Sequence, residues 1–300
     1  MKLMYLIIAH KNPEQVARLI RTLNYDGDGF FIHIDKKCKL KPFEDALELQ
    51  AFERHITQNR ARIHFVSNRV SVVCGGYTQV EATFNSLSEI FSSSERFDYL
   101  ILLTGQDYPI KTNEQIRTYF SSNKGGEFLE GFQLPGSAEK ALAEISWRTA
   151  RVKEYSFLDY YQGKGSYLMS KIARWIFPTK ELPADFPLYW GHSHWRLTYD
   201  CAAFLLKFKS EHEDFMRLFR LALSPDEYVF HTVIKNSPFA ENVIDDCLTH
   251  INWSTGGYHP KVLTCEDFHD LEKSRKLFAR KFDIHVDSGI MDLIDRKLLR

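Results

Sequence analysis

The sequence has few cysteines, and no two of them stand in a C-x-x-C pair. The five cysteines are Cys38, Cys74, Cys201, Cys247 and Cys265. An odd number without paired spacing predicts neither a disulfide framework nor a zinc knuckle, and a reducing compartment fits best. The apolar run Leu3–Ala9 is too short for a signal segment, and no run has the length of a membrane span. We therefore expect a cytoplasmic protein, at most peripheral at the inner membrane.

Neither charge is in excess, because Lys plus Arg and Asp plus Glu each number 39 among the 300 residues. This balance gives no electrostatic reason to expect nucleic acid as a partner. No glycine-rich phosphate loop stands near the N-terminus, which disfavours a nucleotidyltransferase with a similar sheet. Hydrophobic residues make up 44%, enough for a sizeable core, and no repeat or linker divides the chain. We expect one domain over residues 1–300.

What the sequence does contain is an alternation of strand and helix patterns. The predicted strands are Leu3–Ala9, Phe30–Asp35, Arg62–Ser67, Asp98–Thr104 and Glu127–Phe132. The first predicted helix starts at Pro13, with Asn12 as its cap and Gln15 in a capping box. The other predicted helices are Pro42–Phe52, Gln79–Phe91, Thr112–Phe120, Ser224–Asn236, Glu266–Lys276 and Ser288–Leu299. Between them, Arg196–Phe208 reads as a strand followed by a helix, and Pro135–Pro187 as an insertion that shapes an acceptor site. This order predicts an α/β fold with a mostly parallel central sheet flanked by helices.

Sheets of this kind bind ligands at the carboxyl ends of their strands. That rule selects His10, Asp35 and the segment Thr104–Pro109. In this segment a glycine turn is expected to lift the Asp107 carboxylate above the sheet edge, although a turn residue that caps local N–H groups is the alternative. Gln106 precedes it, so a single carboxylate is available, too few for a good hard-cation site.

Ser224-Pro225-Asp226-Glu227 allows two interpretations. In the first, Ser224 caps a helix and Glu227 completes a capping box. In the second, one of the carboxylates is a general base, since inverting glycosyl transfer needs one carboxylate to accept the proton of the attacking hydroxyl. The two interpretations are compatible in part.

Cations gain importance if no metal neutralises a leaving diphosphate, because side chains must then contact its oxygens. Arg280 and Lys281 lie in the apolar frame of Leu277–Asp283, and Lys261 is a further candidate. The alternative, about equally well supported by the residues alone, is an ordinary salt bridge with Asp283 or Asp287.

Four other patterns have a structural and a functional interpretation. Trp253, beside a glycine-containing loop, is either a platform for a sugar face or a core residue. His192-x-His194 lacks a further ligand nearby, which disfavours a metal site. Lys171–Phe177 is either a membrane-surface contact or a packed helix. Asp26-Gly27-Asp28 is explained by turn chemistry.

Together these motifs resemble the core-2/I-branching β-1,6-N-acetylglucosaminyltransferases (glycosyltransferase family 14) and the related peptide O-xylosyltransferases. The resemblance covers nearly the whole chain in order. The matching blocks are Ala9–Lys11, Phe31–Lys36, Cys74–Tyr77, Leu103–Thr112, Gly191–Trp195, Ser224–Glu227, Phe230–Thr232, Asn252–Trp253 and Leu277–Asp283.

The resemblance implies a GT-A-like fold, inverting chemistry, no metal and no cofactor. It assigns the catalytic base to Glu227 and acceptor binding to Trp195 and Trp253. The donor-binding residues that it implies are His10, Asp35, Cys74, Gly75, Asp107, Lys261, Arg280 and Lys281. Among these, Lys281 contacts the diphosphate. Lys261 or His259 takes the place of a second cation that has no clean match, and Arg280 could also contribute. Cys74 replaces an aromatic residue usual in the family.

The expected reaction transfers N-acetylglucosamine from UDP-N-acetylglucosamine to a glycan or lipid-linked glycan hydroxyl. A xylosyltransferase using UDP-xylose is the nearest alternative, and a non-catalytic carbohydrate-binding protein is the alternative from another class. Residues 1–132 would bind the nucleotide sugar, and residues 133–300 would supply the acceptor and catalytic groups. The absence of the anchor and disulfides of the animal members suggests a bacterial relative.

Overall fold

Strands and helices alternate along the chain in a computed structural model, which describes residues 1–25, 27–54, 62–134, 186–220, 224–256 and 259–300. The strands are β1 (Leu3–Ala9), β2 (Gly29–Ile34), β3 (Ile63–Phe65), β4 (Tyr99–Thr104), β5 (Asp107–Pro109), β6 (Glu127–Gln133), β7 (Tyr189–Thr198), β8 (Val243–Ile244), β9 (Thr249–Ile251) and β10 (Phe278–Arg280). The α-helices are α1 (Pro13–Leu23), α2 (Lys41–Arg54), α3 (Thr78–Ser92), α4 (Asn113–Ser122), α5 (Tyr199–Glu211), α6 (Glu213–Leu218), α7 (Val229–Lys235), α8 (Phe268–Lys273) and α9 (Gly289–Lys297).

The large central sheet has the strand order β3-β2-β1-β4-β7-β6-β8. β3, β2, β1 and β4 are parallel, β7 is antiparallel to both of its neighbours, and β8 is parallel to β6. The sheet is therefore mostly parallel with one reversed strand among the described residues. The predicted fold class, α/β with helices flanking such a sheet, is confirmed.

The continuous apolar run of β1 reflects burial on both faces of the sheet. Its odd-numbered residues join one core cluster, together with Leu19 of α1. Its even-numbered residues Met4 and Leu6 join a second cluster, together with Phe84 of α3. The carboxyl ends of the strands are thus held at one edge by helices packed on each side.

A smaller sheet with the order β5-β10-β9 lies beside this edge. β10 is antiparallel to β5, with Arg280 opposite Asp107, and parallel to β9. The pairing brings the Leu277–Asp283 block against the Thr104–Pro109 segment, which are far apart in the chain. It is the feature that assembles the cation cluster described below.

Of the predicted helix starts, α4 begins as expected, since Thr112 and Gln115 form a reciprocal capping box. Asn12 occupies the N-cap position with Pro13 at the first helical position, as predicted, but its side chain does not cap the helix. Asn12 has a φ of 54° and makes no cap hydrogen bond, and its side chain instead donates to Asp283 Oδ1 at 2.9 Å. Gln15 does not form the predicted capping box, because its side-chain amide donates to the Gly105 and Phe282 carbonyls.

The predicted helix Ser224–Asn236 is divided in the structure. Pro225–Glu227 forms a 3₁₀ turn, and the α-helix begins only at Val229. Ser224 has a φ of 45° and no cap hydrogen bond, because its N–H donates to the Gly75 carbonyl at 2.8 Å. The capping-box interpretation is therefore wrong, and the Glu227 side chain is available for other contacts.

Two predictions concern residues that the structure leaves undescribed. The proposed insertion Pro135–Pro187 lies outside the described residues except at its end, as does the whole of Lys171–Phe177. Among the described helices, none combines the length and the apolar character needed to cross a bilayer.

Candidate active site

The ends of β1 and β2 place His10 and Asp35 next to each other at the edge of the central sheet. His10 is exposed, and Asp35 is buried with its N–H donating to the Ala9 carbonyl at 2.9 Å. Desolvation and Lys11 lower the pKa of His10, while Asp35 opposes the shift. These residues lie together as the strand-end rule predicts. The Asp28 carboxylate, in contrast, is buried, accepts from Leu3 N on β1 and pairs with Arg117 on α4, so contacts with distant segments and not turn chemistry alone explain this residue.

Asp107 is fully buried, which corrects the expectation that its carboxylate stands above the sheet edge. Its Oδ2 accepts from Thr104 N at 2.6 Å and lies 3.1 Å from His194 Nε2. The pairing of β5 with β10 turns this side chain toward Arg280. Burial alone would raise the pKa of Asp107, but His194 and Arg280 outweigh it and lower the pKa to about 2. A direct contact between this carboxylate and a donor sugar is therefore not available in this conformation.

Arg280 links Asp107 to the rest of the edge. Its Nε lies 3.6 Å from Asp107 Oδ1, and its Nη1 lies 2.6 Å from His194 Nε2 and 3.2 Å from His194 Nδ1. Burial and the charge of Arg280 lower the pKa of His194 to about 4, so the ring is neutral at pH 7. Asp107, His194 and Arg280 thus form one largely buried polar cluster. The sequence contained no local signal for this role of His194.

Lys281 follows Arg280 and is partly buried. Desolvation, Arg280 and Lys11 lower the pKa of its ammonium, and the negative charge of Asp283 opposes this shift without cancelling it. Among the described residues, no carboxylate lies within 4.0 Å of Lys281 Nζ. The predicted salt bridge with Asp283 is formed instead by Lys11, at 2.6 Å. A cation in this position favours an anionic ligand.

Lys261 lies on the chain segment next to Lys281, since the Leu263 N–H donates to the Lys281 carbonyl at 2.9 Å. Its ammonium is 2.7 Å from Asp267 Oδ1, so its charge already has a counterion. Lys261 and Arg280, two of the candidates for a second cation, are thus both paired with carboxylates in this structure.

The loop at Cys74 and Gly75 connects the cations with the predicted base. Gly75 N donates to Gln79 Oε1 at 2.6 Å, and Gln79 Nε2 lies 3.4 Å from Asp226 Oδ2. Desolvation, Asp226 and Glu227 raise the pKa of the exposed Cys74 thiol, whereas the positive charge of Lys281 lowers it. Cys74 therefore lies close enough to Lys281 and to both carboxylates to feel their charges.

Glu227 and Asp226 are adjacent in sequence but have different surroundings. Asp226 is buried, and burial raises its pKa to about 6. Glu227 is only partly buried, and its Oε2 accepts a hydrogen bond from the indole Nε1 of Trp190 at 2.9 Å. Of the two carboxylates, Glu227 is the more accessible to a ligand. Trp190 was not among the residues predicted from the sequence, although it lies on β7 directly before the block Gly191–Trp195.

The two predicted acceptor-side tryptophans differ in the structure. Trp195 is completely buried, with its ring centroid 5.6 Å from that of Phe230. Its assignment to acceptor binding is wrong, because its place on β7 turns the side chain into the core cluster shared with α3 and α7. Trp253 is 45% exposed, as a platform for a sugar would be.

A further cluster lies at Glu130, Asp246 and Cys247, whose potential metal-ligand atoms are within 4.8 Å of one another. No sequence motif predicted this arrangement. The ammonium of Lys276 is 2.7 Å from Asp246 Oδ1 and 3.9 Å from Glu130 Oε2. A side-chain cation thus already balances these carboxylates.

Comparisons with known proteins place the chain among glycosyltransferases by similarity. Xylosyltransferase 2 from Rattus norvegicus is 22% identical over 313 residues, which cover 98% of this chain and 33% of that protein. The N-acetyllactosaminide beta-1,6-N-acetylglucosaminyl-transferase of Homo sapiens is 26% identical over 304 residues, 95% of this chain and 69% of that protein. The chain thus spans about a third of the length of the xylosyltransferases that it matches. Residues 3–274 match the profile of the family described as "Branch: Core-2/I-Branching enzyme", and the chain belongs to this family.

Proposed function

We propose that this protein is an inverting, metal-independent glycosyltransferase that moves a sugar from a UDP-sugar to a glycan hydroxyl. The observation that carries the proposal is that the Cys74–Gly75 loop borders both functional groups: the Gly75 carbonyl accepts from Ser224 N at 2.8 Å, in the turn that holds Glu227, and the Cys74 thiol is close enough to Lys281 to feel its charge. A cation without a carboxylate partner among the described residues and an accessible carboxylate are the groups that such a transfer requires. Family membership and the names of the relatives support it.

On the donor side, Lys281 contacts the diphosphate and stabilises the charge that develops as UDP leaves. Arg280 adds positive potential and is held in place by Asp107 and His194. His10 and Asp35, at the ends of the neighbouring strands, are proposed to bind the nucleoside, and the Cys74–Gly75 loop lies between them and the base. Asp107 acts in this scheme through Arg280 rather than by touching the sugar.

On the acceptor side, Glu227 accepts the proton of the attacking hydroxyl. The oxygen of the acceptor forms a bond to the anomeric carbon as the bond to the UDP oxygen breaks on the opposite face. This single displacement inverts the configuration at that carbon. Trp190 orients the Glu227 carboxylate through its indole N–H, and Trp253 is proposed to contact the acceptor.

Metal independence rests on the chemistry of the Gln106–Asp107 turn. A divalent cation on a diphosphate needs several accessible oxygen ligands. Here the single carboxylate is fully buried and engaged with Thr104, His194 and Arg280. Transfer is therefore expected to persist in EDTA without stimulation by Mn²⁺. Loss of activity in EDTA that Mn²⁺ restores would refute this part of the proposal.

For the donor we propose UDP-N-acetylglucosamine, with UDP-xylose as the second candidate because relatives of both kinds match the chain. The test is calorimetry with a panel of UDP-sugars in EDTA, followed by assays of UDP release with sugar acceptors. Tight binding of UDP-xylose alone would favour the second candidate. A protein that binds sugars but releases no UDP from any donor would be a binding module instead.

A further inference from the structure

An aromatic pair lies beside the proposed base, on the antiparallel strands β6 and β7 of the central sheet. Phe132 on β6 is directly opposite Trp190 on β7, and their ring centroids are 5.3 Å apart at 59°. Phe132 is 54% exposed, among the most exposed large hydrophobic side chains of the described residues. An exposed aromatic ring close to Glu227, the proposed base, is suited to bind a ligand with an apolar face.

The backbones of β6 and β7 approach each other closely beside this pair. Gly131 and Gly191 are opposite each other in the same register, and a Cβ at Gly191 would lie 2.1 Å from the Glu130 carbonyl oxygen and 2.5 Å from His231 Nε2. The Gly131 carbonyl also accepts a hydrogen bond from the Lys235 ammonium. The position of Trp190 relative to Glu227 is therefore set by tightly packed strands rather than by a loop.

We propose that Phe132 and Trp190 form the platform on which the acceptor sugar lies while its hydroxyl attacks. The C–H face of a pyranose packs on the ring of Phe132, and the hydroxyl at its edge reaches Glu227. Trp190 contributes twice: its ring extends the platform, and its N–H holds Glu227 Oε2 at 2.9 Å. The platform selects a pyranoside as acceptor rather than the hydroxyl of a peptide side chain. This inference rests on the proposed glycosyltransferase function.

Three variants separate the roles. Phe132→Ala removes the ring and is expected to raise the KM for a glycoside acceptor about tenfold. A tenfold change corresponds to a loss of ~1.4 kcal/mol of binding free energy. Phe132→Tyr keeps the ring and is expected to preserve KM. Trp190→Phe keeps the aromatic surface but loses the N–H donor, so kcat is expected to fall about tenfold with little change in KM. The contrast between KM and kcat is not expected from a general loss of structure.

The experiment measures UDP binding by calorimetry and UDP release from UDP-N-acetylglucosamine and UDP-xylose. The acceptors are p-nitrophenyl glycosides of galactose and N-acetylgalactosamine and a serine-containing peptide, and glycoside binding is also followed directly by saturation-transfer NMR. Support would be glycoside-stimulated UDP release, the predicted shifts, and a UDP Kd that Phe132→Ala leaves unchanged.

Other outcomes would overturn the platform and are distinguishable from one another. Glycoside transfer with an unchanged KM in Phe132→Ala, or acceleration by the peptide alone, would refute it and leave the glycosyltransferase proposal standing. UDP binding without any glycoside binding or glycoside-stimulated release would also refute it. A wild-type protein that neither binds nor releases UDP would instead refute the proposed function on which the platform depends.

Discussion

Arg280 and Asp107 face each other across the antiparallel pair of β5 and β10, with 3.6 Å between Arg280 Nε and Asp107 Oδ1. The carboxylate is fully buried, whereas the guanidinium retains some contact with solvent. Lys281 immediately follows Arg280, so the same strand pairing also sets the position of this lysine, which is proposed to bind the diphosphate. A buried carboxylate thus acts as the internal anchor of the cation cluster.

Replacing Asp107 with Asn is expected to destabilise the fold by about 2–4 kcal/mol, because Arg280 loses its counterion while it stays largely buried. The measurement is urea unfolding at pH 7. A double-mutant cycle with Arg280→Met gives the coupling energy of the pair. Additive effects of the two substitutions would show that the pair makes no net contribution to stability.

Replacing Glu227 with Gln is expected to reduce kcat by about 10²–10⁴-fold, the usual contribution of a general base. Donor binding should survive, because the amide keeps the shape of the carboxylate, and calorimetry with UDP would check this. Asp226→Asn is the matched control, since it neutralises the adjacent carboxylate. Full turnover in Glu227→Gln together with its loss in Asp226→Asn would transfer the role of base to Asp226.

Replacing Lys281 with Met is expected to weaken UDP binding about tenfold to a hundredfold, as loss of a charge-assisted hydrogen bond does. Lys261→Met, compared in the same titration, should cost less because Asp267 already neutralises Lys261 at 2.7 Å. Equal losses of affinity in the two variants would identify Lys261 as the second diphosphate cation. An unchanged Kd in Lys281→Met would contradict the donor site as proposed.

His231 predicts a pH dependence of stability. Burial, reinforced by Lys235, lowers its pKa to about 3, compared with 6.5 for an ordinary histidine. Between these values the unfolded chain binds a proton that the folded protein does not, so the free energy of unfolding falls as the pH falls. His231→Leu should reduce this slope by about 1.4 kcal/mol per pH unit between pH 6 and 4.

The measurement for His231 is urea unfolding at several pH values. The comparison variant is His269→Asn, at a side chain that is 68% exposed, and it is expected to leave the slope unchanged. A slope that His231→Leu does not alter would show that His231 is protonated normally in the folded protein.

Sequence patterns predicted most elements of the first 130 residues within a few positions. β1 and β4 are continuous apolar runs because helices cover both faces of the sheet. The helix predicted from Thr112 is confirmed, and a capping box between Thr112 and Gln115, only three residues apart, begins it. Asn12 and Ser224 occupy N-cap positions as predicted but make no side-chain cap hydrogen bond, and each is instead bonded to a distant partner, Asp283 and Gly75 respectively.

The sequence by itself determined the α/β class, the strand ends that form the edge, and the resemblance that selected Glu227 and Lys281, because these depend on local periodicity and short blocks. Only the tertiary structure decided the orientation of the side chains at that edge. The β5–β10 pairing turned Asp107 inward to Arg280, and the packing of β7 placed Trp195 in the core while Trp190 reached Glu227. Such outcomes depend on contacts between segments far apart in the chain, for which the sequence carries no local signal.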